Sequence, residues 1–121
     1  MEVSEGDVVW VDFTAGVGSE VDKRRPAVVV QAFRPARLRT TVVVPLFSDP
    51  EYVRRPTAVR VPTEESGLRT LSFAVCHLIA VVDLERIDES CGRLSPARLC
   101  AIRLVVADVL GIDAETFLGG D

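Results

Sequence analysis

The chain has 121 residues, of which 48% are hydrophobic and 26% are charged, which is enough to bury the core of one domain without disulfides or metal ions. The N-terminus shows no basic-then-apolar leader pattern, and no apolar run approaches the ~18 residues of a membrane helix, so we expect a cytoplasmic, non-membrane protein formed by one domain over residues 1–121. Three cysteines without a CxxC pair and a single histidine exclude a conventional zinc site. We therefore expect reduced thiols, no metal and no cofactor.

The net charge of −4 hides an uneven distribution. Residues 1–22 carry six acidic and no basic residues, residues 23–60 carry nine basic and two acidic residues, and residues 61–121 carry five basic and ten acidic residues. Thirteen of the fourteen basic residues are arginines, whose planar guanidinium suits phosphate oxygens. The basic stretch is either a set of solvated loop charges or a face for RNA, DNA or an acidic protein segment.

The first predicted strand covers residues 7–13, where valines and aromatic residues alternate with polar positions. A loop rich in glycine and charge follows at 14–24, and an apolar run at 26–31 predicts a strand buried on both faces. Arg25 stands directly before Pro26. Because proline disfavours helix in the residue before it, we expect Arg25 to project from the start of a strand.

A third strand is predicted at residues 39–45, ending at a proline that cannot donate to a ladder. The segment 46–56, which contains Ser48, is predicted to be a polar loop, and residues 57–61 alternate well enough for a fourth strand.

Residues 71–76 and 78–82 predict one long strand or two short ones, broken near His77, and residues 83–86 a single helical turn. One helix is predicted with Ser95 as N-cap and Pro96 in its first position, ending before a glycine. Its apolar face is formed by Leu99, Ile102, Val106, Val109 and Leu110. We expect the tail at 113–121 to fray.

These elements predict an α+β, mainly β fold: a small, strongly bent sheet or barrel of five to seven strands with a C-terminal α-helix. No nucleophile elbow, phosphate-binding loop or metalloprotease motif is present. The chemistry must therefore come from scattered strand-end and loop residues.

Several stretches resemble the MazF/PemK (Kid) toxin family. They are GDVVWVDF at 6–13, GSE at 18–20, RPAVVV at 25–30 and VVPLFS at 43–48, with looser similarity at 73–87 and 92–95. The resemblance extends over residues 5–112, and its first third is the most specific.

The resemblance implies a homodimeric, SH3-like small β-barrel that acts as the toxin of a type II toxin-antitoxin system. It further implies a metal-independent, sequence-specific endoribonuclease (an mRNA interferase) acting on single-stranded RNA. In such a reaction the 2′-hydroxyl attacks the adjacent phosphorus and leaves a 2′,3′-cyclic phosphate and a 5′-hydroxyl. The implied partner is a cognate antitoxin whose acidic, flexible C-terminal segment covers the RNA site.

Carried over to this chain, the resemblance implies catalytic roles for three residues. Arg25 matches the catalytic arginine, Ser48 falls at the catalytic threonine and keeps its hydroxyl, and Glu20 acts as a base or orients the RNA. Loops 14–24 and 46–56 would hold unstacked bases, with Trp10, Phe33 or Tyr52 as stacking surfaces. The further RNA-binding candidates are Ser19, Lys23, Arg24, Asp49, Arg54, Arg55 and His77.

The segment 77–81 departs from the family pattern, since His-Leu-Ile-Ala-Val stands where the family has an acid, Gln, Ile, Arg and Thr. His77 either supplies a compensating proton-transfer group or is a hydrogen-bonded structural residue. Two alternatives follow from this departure. One is a CcdB-like toxin that binds DNA gyrase without catalysis, and the other is a degenerate member that only binds an antitoxin.

Overall fold

The computed structural model describes residues 2–14, 23–33 and 35–113, which form seven strands, two helices and three 3₁₀ turns. The strands are β1 (Asp7–Asp12), β2 (Arg24–Val29), β3 (Thr40–Phe47), β4 (Ala58–Val61), β5 (Ser72–Val75), β6 (Ala80–Asp83) and β7 (Ile87–Arg93). The helices are α1 (Thr63–Ser66) and α2 (Pro96–Val109), and the 3₁₀ turns are Pro50–Arg54, Cys76–Leu78 and Leu84–Arg86.

The strands pair in the order β4-β5-β3-β2-β1-β7, with β6 also paired to β3, and every pairing is antiparallel. The sheet is strongly bent and barrel-like without closing on itself among the described strands. The predicted mainly β fold with a C-terminal helix is confirmed.

Strand β3 produces the bend because it changes partner along its length. Thr40–Val43 pairs with β6, whereas Leu46 and Phe47 pair with β5. Pro45 lies between these two registers and pairs with Ala27 of β2 on the other side. The prediction that the strand ends at Pro45 was wrong, since a proline is tolerated where the ladder on one side is interrupted.

Both faces of the central strands are buried, as predicted for the apolar run in β2. Val9, Val11 and Val29 face a cluster inside the bend, while Val8 and Val28 face a cluster under α2. Because successive strand residues point to opposite faces, the consecutive apolar residues of β1 and β2 contribute side chains to both clusters.

Helix α2 begins as predicted, because the Ser95 hydroxyl oxygen accepts a hydrogen bond from the Arg98 N–H at 3.2 Å. Leu99, Ile102 and Val106 are buried against the sheet, whereas Val109 and Leu110, predicted on the same face, are exposed.

The break near His77 is confirmed, since the 3₁₀ turn Cys76–Leu78 separates two short strands, β5 and β6. The helical turn predicted at 83–86 is also present, at Leu84–Arg86. Strand β7 was not predicted individually.

Within the described residues no helix is long and apolar enough to cross a membrane. The predicted frayed tail lies, apart from residue 113, outside the described residues.

Candidate functional site

One cleft of about 420 Å³ brings together two of the three predicted catalytic residues. It is lined by Trp10, Arg25, Pro26, Leu46, Ser48, Gly67, Leu68, Arg69, Thr70, Ser72 and Cys91. Arg25 comes from β2 and Ser48 directly follows β3, and these two strands pair in antiparallel register from Ala27 and Pro45 onward. Arg25 and Ser48 therefore lie near the same end of the β2–β3 ladder, and both line the cleft.

The Arg25 guanidinium lies over an aromatic ring. Its Cζ is 4.0 Å from the centroid of Phe47, and Phe47 in turn packs on Tyr52 with ring centroids 5.2 Å apart. Phe47 is only 8% exposed, so the ring cannot move easily. A cation–π contact of this kind is worth about 0.5–2 kcal/mol and fixes the plane of the guanidinium. Arg25 is therefore presented to the cleft from a buried support.

Ser48 is exposed and begins the loop that follows β3. The next residue, Asp49, caps the 3₁₀ turn Pro50–Arg54, since its carboxylate accepts a hydrogen bond from the Glu51 N–H at 3.0 Å. The turn begins two residues after Ser48, and its cap, Asp49, is the residue that directly follows Ser48.

The predicted RNA-binding arginines of this turn lie outside the cleft lining. Arg54 is exposed. Arg55 lies over the Tyr52 ring, 5.0 Å from its centroid, and contacts the Glu51 carboxylate at 3.8 Å. Both arginines are exposed.

Arg24, the neighbour of Arg25, is held elsewhere. It donates to the carboxylates of Asp88 at 2.8 Å and Glu89 at 3.0 Å, and its Cζ is 4.5 Å from the Trp10 ring centroid. The hydrogen bond with Asp88 raises the pKa of Arg24 and lowers the pKa of Asp88. Because alternate strand residues point to opposite faces, Arg24 and Arg25 have different surroundings. Lys23, also predicted to bind RNA, is exposed.

His77 is exposed in the turn between β5 and β6, and its Nδ1 lies 2.8 Å from the Thr57 hydroxyl oxygen. Strand β5 begins at Ser72, and His77 lies just beyond its C-terminal end. His77 is not among the residues that line the cleft. His77 therefore makes a hydrogen bond with Thr57 and is not part of the cleft lining.

One part of the cleft lining was not predicted from the sequence. It is formed by the segment 67–72 between α1 and β5, which supplies Arg69, Thr70 and Ser72. The sequence signal that could have indicated an anion-binding segment here is an arginine followed by hydroxyl residues shortly after a glycine. Cys91 also lines the cleft, and burial raises the pKa of its thiol. All three cysteines of the chain are free.

The polar side chains of the cleft lining carry two guanidiniums, three hydroxyls, one indole N–H and one thiol, and none of the described lining residues is a carboxylate. Guanidinium and hydroxyl groups donate hydrogen bonds to anionic oxygens and stabilise charge that develops on phosphate. Ser19 and Glu20 lie outside the described residues. In the described part of the chain, no group of three or more His, Cys, Asp or Glu residues could hold a metal ion.

Comparison with known proteins identifies relatives over most of the chain. The sequence profile of the family described as PemK-like, MazF-like toxin of type II toxin-antitoxin system matches residues 4–110. A protein of Mycobacterium tuberculosis named endoribonuclease MazF6 is 29% identical over 90 residues, which are 73% of this chain and 77% of that protein.

Solved structures share the fold. A crystal structure of MazF from Deinococcus radiodurans superposes with a TM-score of 0.75 at 23% identity, covering 93% of this chain and 99% of that one. An endoribonuclease in complex with its cognate antitoxin, from a mycobacterial species, superposes with a TM-score of 0.67 at 20% identity, covering 92% and 95%.

Proposed function

The chain belongs to the PemK-like, MazF-like toxins of type II toxin-antitoxin systems, and we propose that it is an endoribonuclease that cleaves single-stranded RNA in the cleft of Arg25 and Ser48. The observation that carries this proposal is that Arg25 of β2 and Ser48, which directly follows β3, line one cleft whose described lining contains two guanidiniums, three hydroxyls and no carboxylate. Such a lining suits a phosphodiester and is poorly suited to a cationic substrate.

The proposed reaction needs only proton transfer and charge stabilisation. The RNA 2′-hydroxyl loses its proton to a base and attacks the adjacent phosphorus, and the bond from phosphorus to the 5′-oxygen breaks as that oxygen gains a proton in a transfer that Arg25 assists. The products are a 2′,3′-cyclic phosphate and a 5′-hydroxyl. The atoms balance without water, metal or redox partner.

Arg25 and Ser48 have distinct roles in this mechanism. The Arg25 guanidinium, supported by Phe47, binds the non-bridging oxygens and stabilises the charge that grows on them. The Ser48 hydroxyl donates a hydrogen bond to the same phosphate or to the leaving oxygen. Glu20 is the proposed base for the 2′-proton or orients the RNA.

The other predicted RNA contacts divide according to their surroundings. Ser19, Lys23, Arg54 and Arg55 remain proposed contacts to the RNA backbone beside the cleft. Arg24 and Asp49 are already engaged, with carboxylates and with a turn N–H respectively, and His77 lies outside the cleft lining. We propose that these three support the loops and strands rather than contact the scissile phosphate.

The proposed partners are a second copy of the chain and a cognate antitoxin. Residues 23–60 carry nine basic and two acidic residues, so an acidic, flexible antitoxin segment would be attracted to the surface that also attracts RNA. The mycobacterial endoribonuclease noted above was solved with its cognate antitoxin. A toxin that cuts RNA would act in the cytoplasm.

The test is cleavage of a long RNA by purified protein in excess EDTA, with mapping of 5′-hydroxyl ends. We expect discrete cuts that are lost in Arg25→Ala. Intact RNA combined with inhibition of gyrase supercoiling would favour the CcdB-like alternative. Intact RNA with antitoxin binding alone would indicate a non-catalytic family member.

A further inference from the structure

The cleft lining contains a second arginine, Arg69, from the segment 67–72. Among the described residues it forms none of the ion pairs that engage Arg24, Arg39, Arg55, Arg93, Arg98 and Arg103. The cleft lining also contains no described carboxylate that would neutralise it. Its side chain is exposed, so its charge is available to a ligand in the cleft.

The backbone that carries Arg69 is held by close packing against β7. Gly67 has a φ of 72°, and a Cβ there would lie 1.8 Å from the Cys91 carbonyl oxygen. A Cβ on Gly92 would lie 2.3 Å from the Ser66 carbonyl oxygen. Only glycines allow the two backbones to approach this closely, so the start of the segment 67–72 has a defined position.

Side-chain hydrogen bonds stabilise the same segment at both ends. The Ser66 hydroxyl oxygen accepts from the Leu68 N–H at 3.0 Å, and the Ser72 hydroxyl donates to the Thr70 carbonyl at 3.2 Å. Both serines are buried, at 0% and 3% exposure. Arg69 therefore projects from a segment with little freedom, which reduces the entropy lost when its guanidinium binds an anion.

We propose that Arg69 binds a phosphate of the RNA that flanks the scissile phosphate. The inference rests on the proposed function, in which the scissile phosphate occupies the wall of Arg25 and Ser48. Single-stranded RNA carries one phosphate per nucleotide, so a strand bound in the cleft at the scissile phosphate also brings neighbouring phosphates to the cleft lining. Arg69 with Thr70 supplies a guanidinium and a hydroxyl of that lining, which is a phosphate-binding pair.

The test uses a short RNA spanning a mapped cleavage site, with a 2′-deoxy nucleotide at that site to prevent cutting. We expect Arg69→Ala to bind it about 10-fold more weakly, which corresponds to the loss of one charge-assisted contact. The slope of log K against log salt should fall by about 0.7, as expected for one released phosphate contact on a single strand. With cleavable RNA, KM should rise while kcat changes little, and Arg69→Lys should recover part of the affinity.

The control is Arg93→Ala, which removes an exposed arginine of β7 that does not line the cleft and lies outside the basic stretch 23–60. We expect its affinity and salt slope to remain those of the wild type. A scan with single neutral methylphosphonate linkages then identifies the contacted phosphate. One flanking linkage should weaken binding of the wild type and leave Arg69→Ala unaffected.

The results separate this inference from the proposed function. If the wild type cleaves RNA and Arg69→Ala keeps the wild-type KM and salt slope, the role of Arg69 is overturned and the cleavage site stands. If the wild type neither binds nor cleaves any RNA, both are overturned.

Discussion

Polar side chains lie at the start of β5 and just beyond its end, but their surroundings differ. At one end Ser72 lines the cleft with Arg25 and Ser48, and at the other His77 contacts Thr57 outside it. The sequence resembles the toxin family closely in the stretches that supply Arg25 and Ser48, and departs from it around His77. The departure therefore falls outside the described cleft, so loss of the family residues at 77–81 does not by itself remove the proposed catalytic pair.

The largest expected effect comes from Arg25→Ala. Removing a preorganised donor to developing phosphate charge should lower the single-turnover cleavage rate by about 10²–10³-fold. The matched control is Arg24→Ala, which removes the adjacent arginine, and we expect it to change the rate by less than about 3-fold because exposed ion pairs contribute little. Equal losses in the two variants would show that net charge, rather than the position of Arg25, determines activity.

Ser48→Ala should have the next largest effect. Loss of the hydroxyl removes a hydrogen-bond donor from the reacting phosphate, and we expect the rate to fall by about 10–100-fold. Ser48→Thr keeps the hydroxyl and should retain most of the wild-type rate. An alanine variant as active as the wild type would contradict a catalytic role for Ser48.

A smaller effect is expected in the scaffold, at Glu65. Its carboxylate accepts hydrogen bonds from the Ser95 N–H at 2.8 Å and from the Arg98 guanidinium at 3.3 Å, and so joins α1 to the start of α2. Glu65→Gln should lower the free energy of unfolding by about 1–2 kcal/mol at neutral pH. The rate per folded molecule should change little, since Glu65 does not line the cleft.

The contribution of Glu65 should also depend on pH. Burial alone would raise the pKa of Glu65, but the hydrogen bonds from Ser95 and Arg98 outweigh it and lower that pKa. A lowered carboxyl pKa stabilises the fold fully above the ordinary value of 4.5, and the contribution is lost as pH falls through the lowered pKa. Urea unfolding at pH 7 and pH 3 should show the difference between wild type and Glu65→Gln shrinking at acid pH. A constant difference would contradict this assignment.

The smallest effect is expected for His77→Ala. The side chain is exposed, makes one hydrogen bond with Thr57 and lies outside the cleft lining. The cleavage rate should stay within about 2-fold of the wild type and the free energy of unfolding within about 0.5 kcal/mol. A loss of rate comparable with that of Ser48→Ala would assign the compensating proton-transfer role to His77.

Much of the fold could be predicted because it depends on local patterns. The valine runs of β1 and β2, the N-cap Ser95 and the turn at His77 all carry short-range signals of period, capping or interruption. Strand β7 lacked such a signal: its sequence IDESCGR has no apolar alternation, and among the described strands it pairs with β1 alone. The end of β3 was predicted wrongly because a proline is tolerated inside this strand only where the strand changes its pairing partner.

The candidate site likewise contains residues that could be predicted from the sequence and residues that could not. Arg25 and Ser48 could be predicted because each lies in a stretch with recognisable flanking residues. The wall that holds Arg69 could not, because it is created by packing between Gly67 and Gly92, which are distant in sequence. Nothing local in the run Arg69-Thr70-Leu71-Ser72 indicates which strand it will face.

In the proposed reaction, RNA in the cleft of Arg25 and Ser48 is cleaved through the 2′-hydroxyl next to the scissile phosphate. The most direct measurement compares two RNAs of a mapped sequence in excess EDTA, one unmodified and one with a single 2′-deoxy nucleotide on the 5′ side of the cut. We expect the unmodified RNA to give one fragment with a 2′,3′-cyclic phosphate and one with a 5′-hydroxyl, and the deoxy RNA to stay intact. Cleavage of the deoxy RNA at the same position, or products with a 5′-phosphate, would contradict the account.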